Sequence, residues 1–166
     1  MMDQSNSQPA NTSESHNVEG WTLDHLPYIE DFQGLGFLQM CADRRFHRCI
    51  QKEFKKDAKL PEREDYWIHA DAGGTPKMAD QLVAPNYCYH QKGVRLMGWS
   101  AHGSGCGGFG EEVPDDVIRK ALCETMQRKV KEYPEATHFI YFVTVKDDES
   151  LVYRISVNPG GDFVGK

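Results

Sequence analysis

A glycine-rich stretch, Val94–Gly108, carries one histidine and one cysteine, His102 and Cys106. Imidazole nitrogen and thiolate sulfur are ligands that zinc favours, so this pair indicates part of a metal site. A third ligand of the same kind, Cys41, directly follows the strand-like run Gly36–Met40. If the strands before Cys41 and His102 are parallel neighbours, their ends lie about 5 Å apart. The three side chains could then converge on one metal and leave a fourth position open, which is typical of catalytic zinc.

The elements that must position these ligands alternate between strands and helices. Apolar patterning predicts strands over 35–40, 66–70, 94–97 and 138–145, a hairpin return over 151–157, and helices over 46–56, 76–90 and 114–134. This alternation implies a mostly parallel sheet. We therefore predict a three-layer α/β domain with a central sheet of about four strands and an antiparallel edge strand.

Glycine and proline positions set the expected boundaries of these elements. We expect the five glycines between Gly98 and Gly108 to form a loop, because each adds backbone entropy that a regular element must remove. In the second helix we expect Thr75 as the N-cap and Pro76 as the first helical residue. Two sets of side chains should face the sheet: Met78, Leu82 and Val83 from this helix, and Val117, Ala121, Leu122, Thr125, Met126 and Val130 from the last one.

Composition restricts the classes of function. The chain has 166 residues, which suits one domain, and a formal net charge of -6, which argues against a nucleic-acid partner. It contains no apolar run long enough for a membrane span and no signal-peptide core. Five cysteines are an odd number for a disulfide framework, so we expect a reducing, cytoplasmic location. We divide the chain into a disordered tail (1–19), an N-terminal arm or helix (20–33) and one folded domain (34–166).

Three short motifs follow the first three predicted strands in order. They are Cys41-Ala-Asp43-Arg-Arg45, Asp71-Ala-Gly-Gly74 and His102…Cys106-Gly-Gly108. With these motifs the chain resembles the β-class carbonic anhydrases over about residues 34–158. The chain departs from the family in one respect, because three residues separate His102 from Cys106 where the family usually has two.

The resemblance implies a β-carbonic-anhydrase-like fold and a site for Zn²⁺ on Cys41, His102 and Cys106. It implies reversible hydration of CO2 to bicarbonate through a zinc-bound hydroxide. Asp43 would orient the zinc-bound water, and Arg45 would hold Asp43 in place and keep it ionised. In some members of the family the matching aspartate binds the zinc itself. The resemblance also implies a homodimer or larger homo-oligomer, with the active site near the subunit interface.

Several other functions are open from the sequence alone. A structural zinc site would need a fourth protein ligand, for which the candidates are Asp43, His47, Asp71 and Cys88. The same fold could instead hydrolyse a CO2 analogue such as CS2 or COS, or serve assembly without catalysis. The spacing of Gly103, Gly105 and Gly108 also fits the form of a dinucleotide-binding loop, although this loop follows the third strand rather than the first.

The remaining cysteines and histidines are predicted to be structural. We expect Cys49 to be a small core residue and Cys123 to be structural. We expect His69 to be a hydrogen-bonded core histidine. Cys88 and His90 would diverge on a helix and so are not expected to bind a metal together.

Overall fold

The computed structural model describes residues 27, 31–61, 63–161 and 163–164. The predicted tail (1–19) and most of the predicted arm (20–33) lie outside these residues. Residues 31–33 are described and have no regular secondary structure. The folded unit begins at Asp31 and includes the predicted domain.

Six strands form one sheet in this unit. They are β1 (Gly36–Cys41), β2 (Tyr66–Asp71), β3 (Leu96–His102), β4 (Thr137–Lys146), β5 (Glu149–Val157) and β6 (Phe163–Val164). Their order across the sheet is β2-β1-β3-β4-β5-β6. The first four strands in this order run parallel, β5 runs antiparallel to β4, and β6 runs antiparallel to β5. The mostly parallel α/β sheet is therefore confirmed, and its antiparallel edge is a pair of strands rather than one.

The helices lie in the connections between the strands. They are α1 (His47–Asp57), α2 (Gly74–Lys77), α3 (Val83–Asn86), which continues as a π-helical turn (Tyr87–Gln91), and α4 (Asp115–Glu132). Within the described ranges, none of them combines the length and apolar character needed to cross a bilayer.

The sheet has a hydrophobic core on each face, as a three-layer domain requires. On one face, α1 contributes Ile50 and Phe54 to a cluster that includes Leu38 and Tyr141. On the other face, α4 packs its apolar side chains against the opposite side of the same strands, in a cluster that includes Phe37, Trp99, Ile118, Leu122, Met126 and Ile140. The alternation of side chains along each strand thus supplies both cores.

The third strand is longer than predicted and begins two residues later. It continues through Gly98 to His102, a segment that we had assigned to the glycine loop. Gly98 is tolerated in the strand because its neighbours leave no space for a side chain: a Cβ there would lie 2.6 Å from Cδ1 of Leu38 and 2.8 Å from the ring of Phe54. The entropic cost of this glycine is thus offset by close packing of α1 against the sheet. The loop itself begins at Gly103.

The predicted second helix is wrong in extent and in its inward face. The segment forms two four-residue helices, and Thr75 does not cap either of them; its Oγ1 accepts a hydrogen bond from the N–H of Ser100 at 3.0 Å. Met78 is buried as expected, but Leu82 is exposed and Val83 is 86% exposed. Short helices broken by turns do not keep one side facing the sheet, so helical spacing fails as a guide here.

The last helix is confirmed, with one error in its apolar stripe. Leu122, Thr125 and Met126 are buried, but Val117 is exposed and Ile118 takes the inward position in the first turn. The following strand, β4, lies inside the sheet between β3 and β5, and a turn at Asp147 and Asp148 joins it to β5. Both aspartates have positive φ angles (51° and 61°), which is the geometry of a tight hairpin.

Because Gly98 lies against Leu38 and Phe54, adding a methyl group there should overpack the core. We expect Gly98→Ala to lower the free energy of unfolding by about 1–3 kcal/mol, measured by urea denaturation. Gly107→Ala is the matched control, since a Cβ at Gly107 meets no described atom within 4 Å. Equal stability of the two variants would show that the strand relaxes around position 98.

Candidate metal centre

Two parallel strands bring the predicted ligands together. β1 ends at Cys41, and its neighbour β3 ends at His102. Cys106 lies in the loop that follows β3. The ligand atoms of these three residues all lie within 4.8 Å of one another, and all three residues are buried. The predicted convergence is therefore confirmed, and in the described part of the chain this is the one cluster of its kind.

The His102 ring is oriented as a metal ligand would be. Its Nδ1 lies 2.8 Å from the carbonyl oxygen of Gly103. A carbonyl oxygen can only accept, so Nδ1 carries a proton, and in the neutral ring Nε2 presents a lone pair. Nε2 is buried and has no hydrogen-bond partner among the described residues. A backbone carbonyl on one ring nitrogen and a free lone pair on the other are characteristic of ligating histidines.

The ring is also fixed by stacking. Phe46, at the start of α1, stacks on His102 with a centroid distance of 4.3 Å and an interplanar angle of 23°. Phe46 is not among the site residues predicted from the sequence. Its position directly after the Cys41–Arg45 motif was the available signal, because a side chain there must lie near the end of β1.

Cys41 has the environment of a reactive thiol. Burial opposes its ionisation, yet the His102 ring in its protonated form and the backbone N–H groups of Asp43 and Gly73 lower the pKa of Cys41 to about 7. The N–H of Gly73 points at the Cys41 sulfur from 3.4 Å. For Cys106, burial and the nearby Cys41 sulfur raise the pKa instead. In the absence of metal, the first of the two thiols to ionise is therefore Cys41.

The loops around the cluster pack closely against one another. A Cβ on Gly108 would lie 2.5 Å from backbone atoms of Ala72 and Gly73, so only glycine fits. This contact joins the loop after β3 to the turn after β2. It explains why glycines follow both strands: they permit two backbone segments to meet beside Cys41.

Asp43 and Arg45 form a forked ion pair beside the cluster. Nε and Nη2 of Arg45 donate to the Asp43 carboxylate, the shortest bond being 2.6 Å, and the N–H of Arg45 donates to it as well. Hydrogen bonding from Arg45 lowers the pKa of Asp43. Asp43 Oδ2 lies 3.8 Å from Nε2 of His102. Arg45 also donates to the carbonyl of Gly105 at 3.2 Å, which connects the pair to the ligand loop.

The other residues considered as a fourth ligand have different roles. His47 donates from Nε2 to the carbonyl of Cys41 at 2.7 Å, and Asp71 accepts a hydrogen bond from the N–H of Ala72. Cys88 is a core residue, and burial raises its pKa to about 11. None of them belongs to the cluster.

The cysteines and histidines predicted to be structural also lie outside the cluster. His69 is half-buried and bonded to Gln39 through Nδ1 at 3.0 Å. Cys49 is half-buried against the α1-side core, whereas Cys123 is exposed. His90 is exposed as well.

Comparisons of the chain with protein-family models, with curated proteins and with solved structures find no match. The site is therefore interpreted from its own geometry.

Ionisation of Cys41 should be visible in the metal-free protein. We expect thiolate ultraviolet absorbance to rise with a first midpoint near pH 7, below the ordinary cysteine value of 9.0. A lowered pKa in the folded state stabilises the fold above the unfolded-state pKa and loses that effect as the pH falls through the folded-state value. The Cys41 contribution to the free energy of unfolding should therefore grow between about pH 7 and 9. Cys41→Ser should abolish the first absorbance step; a step that persists would assign it to another thiol.

Removal of the imidazole should abolish stoichiometric metal binding. We expect His102→Ala to retain less than one equivalent of zinc after dialysis, measured by elemental analysis, because two sulfurs alone bind too weakly. His69→Ala is the matched control, since it removes an imidazole outside the cluster. Equal zinc content in the two variants would exclude His102 as a ligand.

Proposed function

We propose that Cys41, His102 and Cys106 bind Zn²⁺ and that the chain hydrates CO2 reversibly to bicarbonate, as a divergent relative of the β-class carbonic anhydrases. The observation that carries this proposal is the position of Asp43. Its carboxylate is held by the Arg45 fork and stands 3.8 Å from the free nitrogen of His102. An ionised carboxylate placed beside three ligands, yet already bonded elsewhere, suits an open catalytic position rather than a fourth ligand.

The donor set fits zinc. Two sulfurs and one imidazole nitrogen form a three-ligand combination that is typical of catalytic zinc. Two thiolates also balance the charge of a divalent ion, which is favourable in a buried site where an unpaired charge is costly. The unpartnered Nε2 of His102 would gain the partner that it lacks.

If these three residues held zinc, the ion would lower the pKa of a bound water to about 7 and would so supply hydroxide at neutral pH. The chain's own residues would do the rest. Asp43 would accept a hydrogen bond from the attacking oxygen and so orient its lone pair toward the substrate. Arg45 would keep Asp43 ionised and in place. Phe46 would exclude water from one face of the His102 ring.

A structural zinc site is the second candidate, and the burial of the ligands favours it. His102 and Cys106 are fully buried and Cys41 is nearly so. In that case Asp43 would have to leave Arg45 and join the metal. The ion pair disfavours this change, because breaking the fork would lose several charge-assisted hydrogen bonds.

Dinucleotide binding at the glycine loop has less support. The N-terminus of α4 would have to receive the phosphate. The carboxylate of Asp115 lies in the first turn of that helix and bonds to the N–H of Ser104 in the glycine loop at 2.8 Å. A phosphate there would meet a negative charge.

Zinc content and stopped-flow CO2 hydration on the same preparation test the proposal. We expect about one zinc per chain and measurable hydration. Asp43→Ala should keep its zinc and lose about 100-fold in rate, because removing one positioned hydrogen-bonding group from an active site commonly has an effect of that size. Arg44→Ala, which changes an exposed neighbour, should match the parent. Full zinc without hydration in the parent would contradict catalysis and favour the structural site.

A further inference from the structure

One peptide group in the loop after β3 is hydrogen-bonded through both its carbonyl oxygen and its N–H group. The carbonyl of Gly103 accepts from Nδ1 of His102 at 2.8 Å. The N–H of the same peptide, on Ser104, donates to Oδ1 of Asp115 at 2.8 Å. His102 and Asp115 are thus connected through the Gly103–Ser104 peptide.

Asp115 is itself fixed by a closed set of hydrogen bonds. Its Oδ2 accepts from the hydroxyl of Thr144 on β4. Because that hydroxyl proton is used there, Ser104 Oγ must donate to Thr144 Oγ1 at 2.8 Å, and it accepts from the N–H of Val145 at 2.9 Å. The carboxylate also lies in the first turn of α4, where the helix dipole favours negative charge.

The loop packs closely against this carboxylate. A side chain at Gly103 would overlap the carboxyl group of Asp115. Ser104 has a φ of 52°, which is unfavourable for a residue with a side chain, and Gly105 follows with 82°. These two successive left-handed residues turn the loop between His102 and Cys106 back toward Cys106. The contacts to Asp115 and Thr144 hold Ser104 in this conformation.

We propose that Asp115 is a positioning residue for the metal ligands, acting on His102 through the Gly103–Ser104 peptide. It orients that peptide so that the carbonyl faces Nδ1, which fixes the proton on Nδ1 and directs the Nε2 lone pair into the cluster. By bonding to the N–H, the carboxylate also polarises the peptide and strengthens the carbonyl as an acceptor. Ligating histidines commonly bond to a carboxylate directly; here one peptide group stands between the two.

This inference rests on the proposed metal site, but one of its tests does not need the metal. Long-range ¹H–¹⁵N correlation spectra of the metal-free protein, at a pH where the ring is neutral, report which nitrogen of His102 carries the proton. We expect the Nδ1–H tautomer alone in the parent and a mixture in Asp115→Ala. Zinc affinity, measured by competition with a chromogenic chelator, should fall about 10–100-fold, the usual effect of losing an outer partner of a ligating histidine.

Two further variants separate positioning from general effects. Asp115→Asn keeps an oxygen that can accept from Ser104 but loses the charge, so it should give a smaller loss of affinity and retain the Nδ1–H tautomer. Asp116→Ala removes the neighbouring charge at the same helix end, where the side chain is exposed, and should leave both readouts unchanged.

Each outcome bears on one hypothesis. A parent-like tautomer and parent-like zinc affinity in Asp115→Ala would overturn the inference, and so would equal losses in the Asp115→Ala and Asp116→Ala variants. If the alanine variant does not fold, the Asp115→Asn variant decides: unchanged affinity overturns the inference, and reduced affinity supports it. A parent that binds no zinc would refute the proposed function, while the tautomer spectra would still decide the role of Asp115.

Discussion

The parallel pairing of β1 with β3 is the constraint on which the rest of the site depends. Register runs from Gly36 opposite Leu96 to Gln39 opposite Trp99. Both strands therefore end at the same edge of the sheet, and Cys41 and His102 leave it side by side. An antiparallel pairing would have put them at opposite edges. The other features of the site, including the Asp43–Arg45 ion pair and the loop between His102 and Cys106, determine the surroundings of these two residues.

One side of the site is buried in the protein, and the other side is exposed to solvent. The ligand atoms are buried, and Phe46 covers the His102 ring. On the other side, the side chain of Asp43 is 23% exposed and that of Arg45 is 58% exposed. A low-dielectric interior strengthens the interactions of the ligands, while the ion pair remains in contact with solvent. The side of the site that faces solvent is therefore the one that carries Asp43 and Arg45.

The features of the fold and site that could be predicted from the sequence are those that depend on repeating patterns of apolar residues. Strand alternation and helix spacing predicted the parallel sheet, and strand ends in such a sheet predicted that Cys41 and His102 would meet. The features that could not be predicted depend on individual tertiary contacts. Gly98 looked like a loop residue because its close packing against Leu38 and Phe54 cannot be read from local sequence. The placement of Cys106 depends on two left-handed backbone conformations, at Ser104 and Gly105, and only the second is suggested by residue type.

The separation of the ligands along the chain has a consequence for folding kinetics. His102 and Cys106 are local to each other, but Cys41 precedes them by two complete strand–connection units. Closing that long segment costs loop entropy before any contact compensates for it, and such non-local contacts form slowly. In the unfolded chain, a metal ion would therefore find only two of the candidate ligands, His102 and Cys106, close together. The complete cluster arises only after the sheet has assembled, so a metal ion bound there would stabilise the finished fold instead of nucleating it.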